Sequence, residues 1–177
     1  MGRMTPCAFE PVSVGSARTQ ALLPHRPPLL LVDEIRALGS GPQPALRASY
    51  QIRGDEPVLA GHFPGRPLWP GAYTIEGLAQ TCALLGGLLG AAAVGQAPVA
   101  LPRAWAAAGA SASGEWPLLA AVHVKLLYAV TPPAELIYEV VLTHVLDAIQ
   151  RFDAEVVSGR NLVASGTLSV ASKGPAP

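Results

Sequence analysis

From Thr74 to about Val94 the chain reads TIEGLAQTCALLGGLLGAAAV, with Ile75, Leu78, Ala79, Cys82 and Leu85 at helical spacing. The opposite face is small and apolar instead of charged, so this helix has no side suited to water and must be enclosed. Lipid or protein could do the enclosing. Glu76 and Gln80 interrupt its start, and the uncharged remainder is rich in Gly and Ala and short for a membrane span of about 20 apolar residues. The pattern therefore predicts a core helix, with Gly86 and Gly90 forming a close-packing surface.

The C-terminal half supplies a wrapping for it. Leu118 to Val130, Glu135 to Leu146, Ile149 to Val157 and Asn161 to Ala171 are rich in apolar and β-branched residues and read as four antiparallel strands in a meander. TPPAE and SGRN supply the turns. Upstream, Pro28 to Leu38 and the alternating ALRASYQI form a hairpin across GSGPQP. Two strands, a buried helix and four more antiparallel strands give the α+β class, one long sheet around a central helix. At 177 residues, half of them hydrophobic, residues 1–177 form a single domain. Residues 1–20 lack the apolar core of a secretory signal and read as a flexible N-terminal extension. Residues 96–117, biased to Ala, Gly, Ser and Pro, read as an inserted loop, and 172–177 as a flexible tail.

Composition excludes several function classes. Lys plus Arg and Asp plus Glu both number 12, leaving no net charge and no basic stripe for nucleic acid or an anionic membrane. Cys7 and Cys82 stand far apart without ligand spacing, which argues against a disulfide framework or a zinc site and fits the cytoplasm. His123 and His144 lie on strands, again without metal-ligand spacing, and read as structural. No G-x-G-x-x-G, Walker loop, G-x-S-x-G elbow or H-E-x-x-H occurs.

The chemistry concentrates in GHFPGRPLWPGAYTIEG, Gly61 to Gly77. Pro64, Pro67 and Pro70 fix φ and push their predecessors toward extended geometry, so a stiff arm should hold His62 in place. Pro70-Gly71 comes just before the helix, where unsatisfied N–H groups and the positive end of the dipole can receive a polarised carbonyl oxygen. Glu76 lies in the first turns of the apolar helix with Gln80 on the same face. A base, oxyanion donors and a carboxylic acid together suit removal of a proton alpha to a carbonyl with loss of a poor leaving group. Taken singly, Glu76 could serve the helix dipole and His62 could be a satisfied loop histidine.

LLPHRPPLLLVDEI, GHFPGRPLWPG and IEGLAQ resemble the successive motifs of the 3-hydroxyacyl-[acyl-carrier-protein] dehydratases of the FabZ type. The likeness extends to VKLLYAVTPPAELIYEV and LVASGTLSV and so covers most of the chain. It implies a hotdog fold, a homodimer with two composite active sites that can assemble into a trimer of dimers, and no cofactor or metal. His62 would be the base at C2, and Glu76 of the partner subunit would act on the C3 hydroxyl. The Gly71 N–H would bind the thioester carbonyl, with Ala72 and Phe63 also contacting substrate. The partner implied is an acyl carrier protein bearing a 3-hydroxyacyl thioester. The isomerising FabA type has Asp where this chain has Glu76, which favours simple dehydration. In PHR, His25 and Arg26 are expected to anchor the first strand.

The chain departs from the pattern at Pro132-Pro133-Ala134, at Gly77, and at Trp69 and Tyr73, which replace commonly aliphatic residues. These departures, with the 96–117 insert, make a specialised lipid, polyene or polyketide pathway an alternative to fatty acid synthesis. Two other functions stay open. A hotdog thioesterase would direct water at the same carbonyl, and a non-catalytic subunit would bind the acyl carrier without turnover.

Overall fold

A helix without a polar face needs a sheet long enough to surround it, and the computed structural model, which describes residues 8–40, 42–93 and 117–171, supplies one. Strand β1 (Phe9–Val14) and helix α1 (Ser16–Leu22) come first, then β2 (Glu34–Gly39) and β3 (Ala45–Ile52). The central helix α2 (Gly71–Ala93) precedes β4 (Leu118–Leu126), β5 (Ala134–Leu146), β6 (Ile149–Ser158) and β7 (Asn161–Ala171). All seven strands join one antiparallel sheet in the order β1-β2-β3-β5-β6-β7-β4. The α+β class and the wrapped central helix are as the sequence predicts. Among the described residues, no helix is long and apolar enough to cross a membrane.

Alternation on the strands aims one face at α2. Leu136, Tyr138 and Val140 of β5 and Phe152, Ala154 and Val156 of β6 are fully buried, and they close over Leu78, Cys82 and Leu85 of the helix. Small helix residues set the spacing. A side chain begun at Gly77 would collide with the hydroxyl and ring edge of Tyr138, and one at Gly86 with the Gln150 amide. On the outer face, Arg47 lies opposite Glu139 across β3 and β5, and their side chains meet at 2.8 Å.

Two expectations are corrected. Strands β5, β6 and β7 form a meander, but β4 pairs with β7 at the sheet edge and β5 lies between β3 and β6. The β4–β5 connection, which carries Pro132 and Pro133, is therefore a crossover and not a tight hairpin: β4 and β5 are both long apolar strands, and which neighbour each pairs with is set by packing around α2 instead of by the turn between them. Residues 9–20 are not a flexible extension: Phe9 pairs with Gly39, its ring lies 4.3 Å from the Arg47 guanidinium, and Thr19 of α1 is buried. Pro11 argues against a central strand, but β1 is an edge strand, where a missing N–H is tolerated. Residues 1–7, 94–116 and 172–177 lie outside the described residues, and with them nearly all of the expected insert and the tail.

Candidate active site

The arm before α2 is held at both ends. A single 3-10 turn, Pro57–Ala60, receives the His62 N–H on the Val58 carbonyl at 3.1 Å. Phe63 and Arg66 then exchange backbone hydrogen bonds of 3.2 and 2.9 Å around Gly65, whose φ of +73° belongs to the region that glycine enters without strain. The Leu68 N–H returns to the His62 carbonyl at 2.8 Å, and the Trp69 N–H reaches the Val130 carbonyl at 2.9 Å. Trp69 is buried against Tyr50 and Tyr73, with ring centroids 5.5 and 5.4 Å away. The prolines thus end in a fixed turn rather than a free strap.

That turn determines the protonation pattern of His62. Its Nδ1 lies 3.0 Å from the Leu68 carbonyl oxygen, which can only accept, so Nδ1 carries a hydrogen and, in the neutral ring, the lone pair is on Nε2. The ring is half-buried and stacks on Phe63 at 4.2 Å. Beside it opens a cleft of about 340 Å³ lined by His62, Trp69, Gly71, Thr74, Leu126 and Tyr128, among others. Gly71 opens α2, and the helix's first hydrogen bonds run from the Tyr73 and Thr74 N–H groups to the Pro70 carbonyl at 3.0 and 3.3 Å. The Gly71 and Ala72 N–H groups precede them and have no partner within the helix ladder. The terminal methyl of Leu126 rests where a Gly71 side chain would begin, so glycine is required here for packing as well as for approach.

Glu76 does not line this cleft. Its Oε1 accepts a 2.8 Å hydrogen bond from Gln80 Nε2 and lies 3.3 Å from His25 Nε2. Gln80, buried, also donates to the Leu29 carbonyl at 2.6 Å and accepts from the Leu31 N–H at 2.9 Å, tying α2 to the approach of β2. The structure therefore brings His62 and Gly71 together and leaves Glu76 out of the cleft of its own chain. Phe63, exposed, and Ala72, exposed on the first helical turn, flank the cleft residues without lining the cleft. Tyr138, against the turn that carries Glu76, has its hydroxyl buried and without a hydrogen-bond partner among the described residues, and burial holds its pKa well above the ordinary value. No group of three His, Cys, Asp or Glu side chains among the described residues is placed to hold a metal.

The PHR pair divides its work. Arg26 Nη1 donates to the carbonyls of Gln20, Leu23 and His25 at 3.1, 2.8 and 2.7 Å, so it closes the end of α1, whereas the sequence predicts an anchor for the first strand. His25 instead turns its ring toward Glu76, a contact the sequence reading missed. No local signal joins residues 51 apart; only the Gln80 bridge to Leu29 and Leu31 brings that segment beside the helix. The wall from Leu126 to Tyr128 was missed as well, because it reads as an ordinary strand end.

One antiparallel sheet around a buried helix, with a histidine turn and a cleft at the helix N-terminus, defines the hotdog class. A family model described as a FabA-like domain matches residues 23–167, and the chain belongs to that family. It is 50% identical over 66 residues to the 3-hydroxyacyl-[acyl-carrier-protein] dehydratase FabZ of Anaeromyxobacter sp., over 37% of this chain and 40% of that one. To the FabZ of Burkholderia thailandensis it is 42% identical over 83 residues, covering 47% and 51%. The chain thus spans about half or less of the length of these curated relatives. Among solved structures, the dehydratase heterocomplex ApeI:P from Xenorhabdus doucetiae superposes with a TM-score of 0.63 at 16% identity, over 88% of this chain and 91% of that one. The fluoroacetyl-CoA thioesterase FlK gives 0.51 at 16% identity, over 72% and 83%. At such identities these two likenesses concern the fold alone.

Proposed function

We propose that this chain removes water from a 3-hydroxyacyl thioester carried on acyl carrier protein, giving the trans-2-enoyl thioester. The observation that carries the reading is the shared cleft of His62 and Gly71, with His62 Nδ1 held by Leu68 and Nε2 left as the base. His62 Nε2 would take a proton from C2, and the free N–H groups of Gly71 and Ala72 would receive the negative charge that develops on the thioester oxygen. Glu76 would protonate the departing C3 hydroxyl as water. The FabZ names of the similar proteins support the substrate class.

Because Glu76 stands outside the cleft of its own chain, the acid would come from a second copy. The exposed apolar surface around the mouth supports such a pairing. Phe63, Leu126, Leu127 and Tyr128 are each about half exposed, and β4 is an edge strand with Leu118, Leu119 and Val122 also open. A homodimer with two composite sites would cover them.

The experiment is to give the protein a series of 3-hydroxyacyl-carrier substrates and follow loss of water by mass spectrometry, in wild type and in His62→Ala. Equal turnover in both would defeat the reading. Free acid as the product would identify a thioesterase, and carrier binding with no turnover at any chain length a non-catalytic subunit.

A further inference from the structure

The contacts of Glu76 go beyond assigning it as an acid, because they distinguish its two oxygens. Oε1 is occupied: the Gln80 amide donates to it at 2.8 Å, and His25 Nε2 lies 3.3 Å away. Gln80 is itself fixed, with its oxygen on the Leu31 N–H and its nitrogen also on the Leu29 carbonyl. A carboxyl oxygen that accepts the Gln80 N–H and has a ring nitrogen 3.3 Å away is suited to be the carbonyl oxygen of the acid, which leaves Oε2 for the proton. An acid whose proton can sit on either oxygen is correctly presented only part of the time.

The other ring nitrogen of His25 shows which form does this. Nδ1 is buried and has no hydrogen-bond partner among the described residues. A doubly protonated ring would leave an unpaired N–H buried there, whereas a ring protonated at Nε2 alone leaves only an unused lone pair, the lesser cost. The neutral Nε2–H form therefore fits its surroundings, and it donates toward Glu76 without placing a full positive charge beside a group that must hold a proton to act as an acid.

Building on the proposed dehydration, we propose that His25 is a positioning residue: its Nε2–H, together with Gln80, holds Glu76 Oε1 as the accepting oxygen and presents the acidic proton on Oε2. His25 touches no substrate in this scheme. It acts only through the carboxyl group it orients.

Two amides separate this role from mere packing. Glutamine can place its N–H near the position of His25 Nε2, whereas asparagine can place its own only near Nδ1 and falls short of Glu76. His25→Gln should keep kcat within about fivefold of wild type, while His25→Asn and His25→Ala should lower it roughly 10- to 100-fold with KM little changed, as expected for a misaimed catalytic group. Equal kcat in wild type and His25→Asn, or a His25→Gln variant as slow as His25→Asn, overturns the proposal. A second measurement does not depend on turnover. Long-range proton–nitrogen NMR correlations should show His25 as the Nε2–H tautomer in wild type, with its signals displaced in Glu76→Ala. An Nδ1–H tautomer, or signals indifferent to Glu76, overturns it. Should the wild type dehydrate no carrier substrate, the functional reading falls, and the NMR result still decides the contact.

Discussion

His62 Nδ1 lies 3.0 Å from the carbonyl oxygen of Leu68, a residue that the Phe63–Arg66 turn folds back beside it. A backbone carbonyl cannot exchange its role as acceptor, so this contact selects the Nδ1–H form of the neutral ring and fixes the orientation of a residue that lines the cleft. His62→Ala should then lower kcat for dehydration by roughly 10² to 10⁴, the range for loss of a general base, with the fold retained by circular dichroism. Steady-state kinetics on a carrier-linked substrate measures it.

The hydroxyl of Tyr138 occupies the space in which a side chain at residue 77 would start, and two ring carbons crowd the same point. Gly77→Ala should destabilise the fold by about 1–3 kcal/mol through overpacking. Tyr138→Phe should be close to neutral, since the buried hydroxyl it removes makes no hydrogen bond among the described residues. In a Tyr138→Leu background the penalty of Gly77→Ala should shrink, because ring edge and hydroxyl leave together. Urea unfolding of the four chains of that double-mutant cycle gives the coupling directly, and strict additivity would contradict the contact.

Those two contacts also mark what could and could not be read from the chain. The helix and the strands beyond it are legible because periodicity is a local property: Leu136, Tyr138 and Val140 alternate, and Ile75, Leu78 and Cys82 follow a helical stripe. The place of β4 beside β7 is not local, and chain order misleads because β4 and β5, consecutive in sequence, do not pair. Phe9–Val14 escaped notice because the strand is six residues long and carries Pro11. At the site, His62 stands out as the one imidazole in a proline-stiffened arm, and Gly71 as the glycine that follows its last proline at the start of the helix. His25 does not, since its distance from Glu76 is set by Gln80 bonds to backbone groups that no side-chain pattern reports.

Burial pushes the Cys82 thiol far above its ordinary value of 9.0, and pushes the Tyr50 hydroxyl from 10.0 up to about 12. Below about pH 8 the folded and unfolded chains both keep these protons, so the groups have no effect on stability. Above it the unfolded chain releases the thiol proton that the folded chain retains, and stability must fall as pH rises, by about 1.4 kcal/mol per pH unit for Cys82 alone. Urea midpoints taken from pH 7 to 10.5 should decline above 9 in the wild type, more steeply than in Cys82→Ala. Parallel curves would mean that the thiol is not enclosed by the folded chain.

His62 and Gly71 line the cleft while Glu76, on the same helix as Gly71, stays outside it, and this separation makes a subunit-mixing experiment decisive. If the proposed composite homodimer holds, His62→Ala and Glu76→Gln should each be nearly inactive alone, since every site of either homodimer lacks one partner. Unfolding and refolding an equal mixture should restore activity, because a mixed dimer contains one site with both native groups and one site with neither. Random pairing makes half of the dimers mixed, and each carries one working site of two, so about a quarter of wild-type activity should return. A mixture that stays as inactive as its parents would require both groups to act from the same chain.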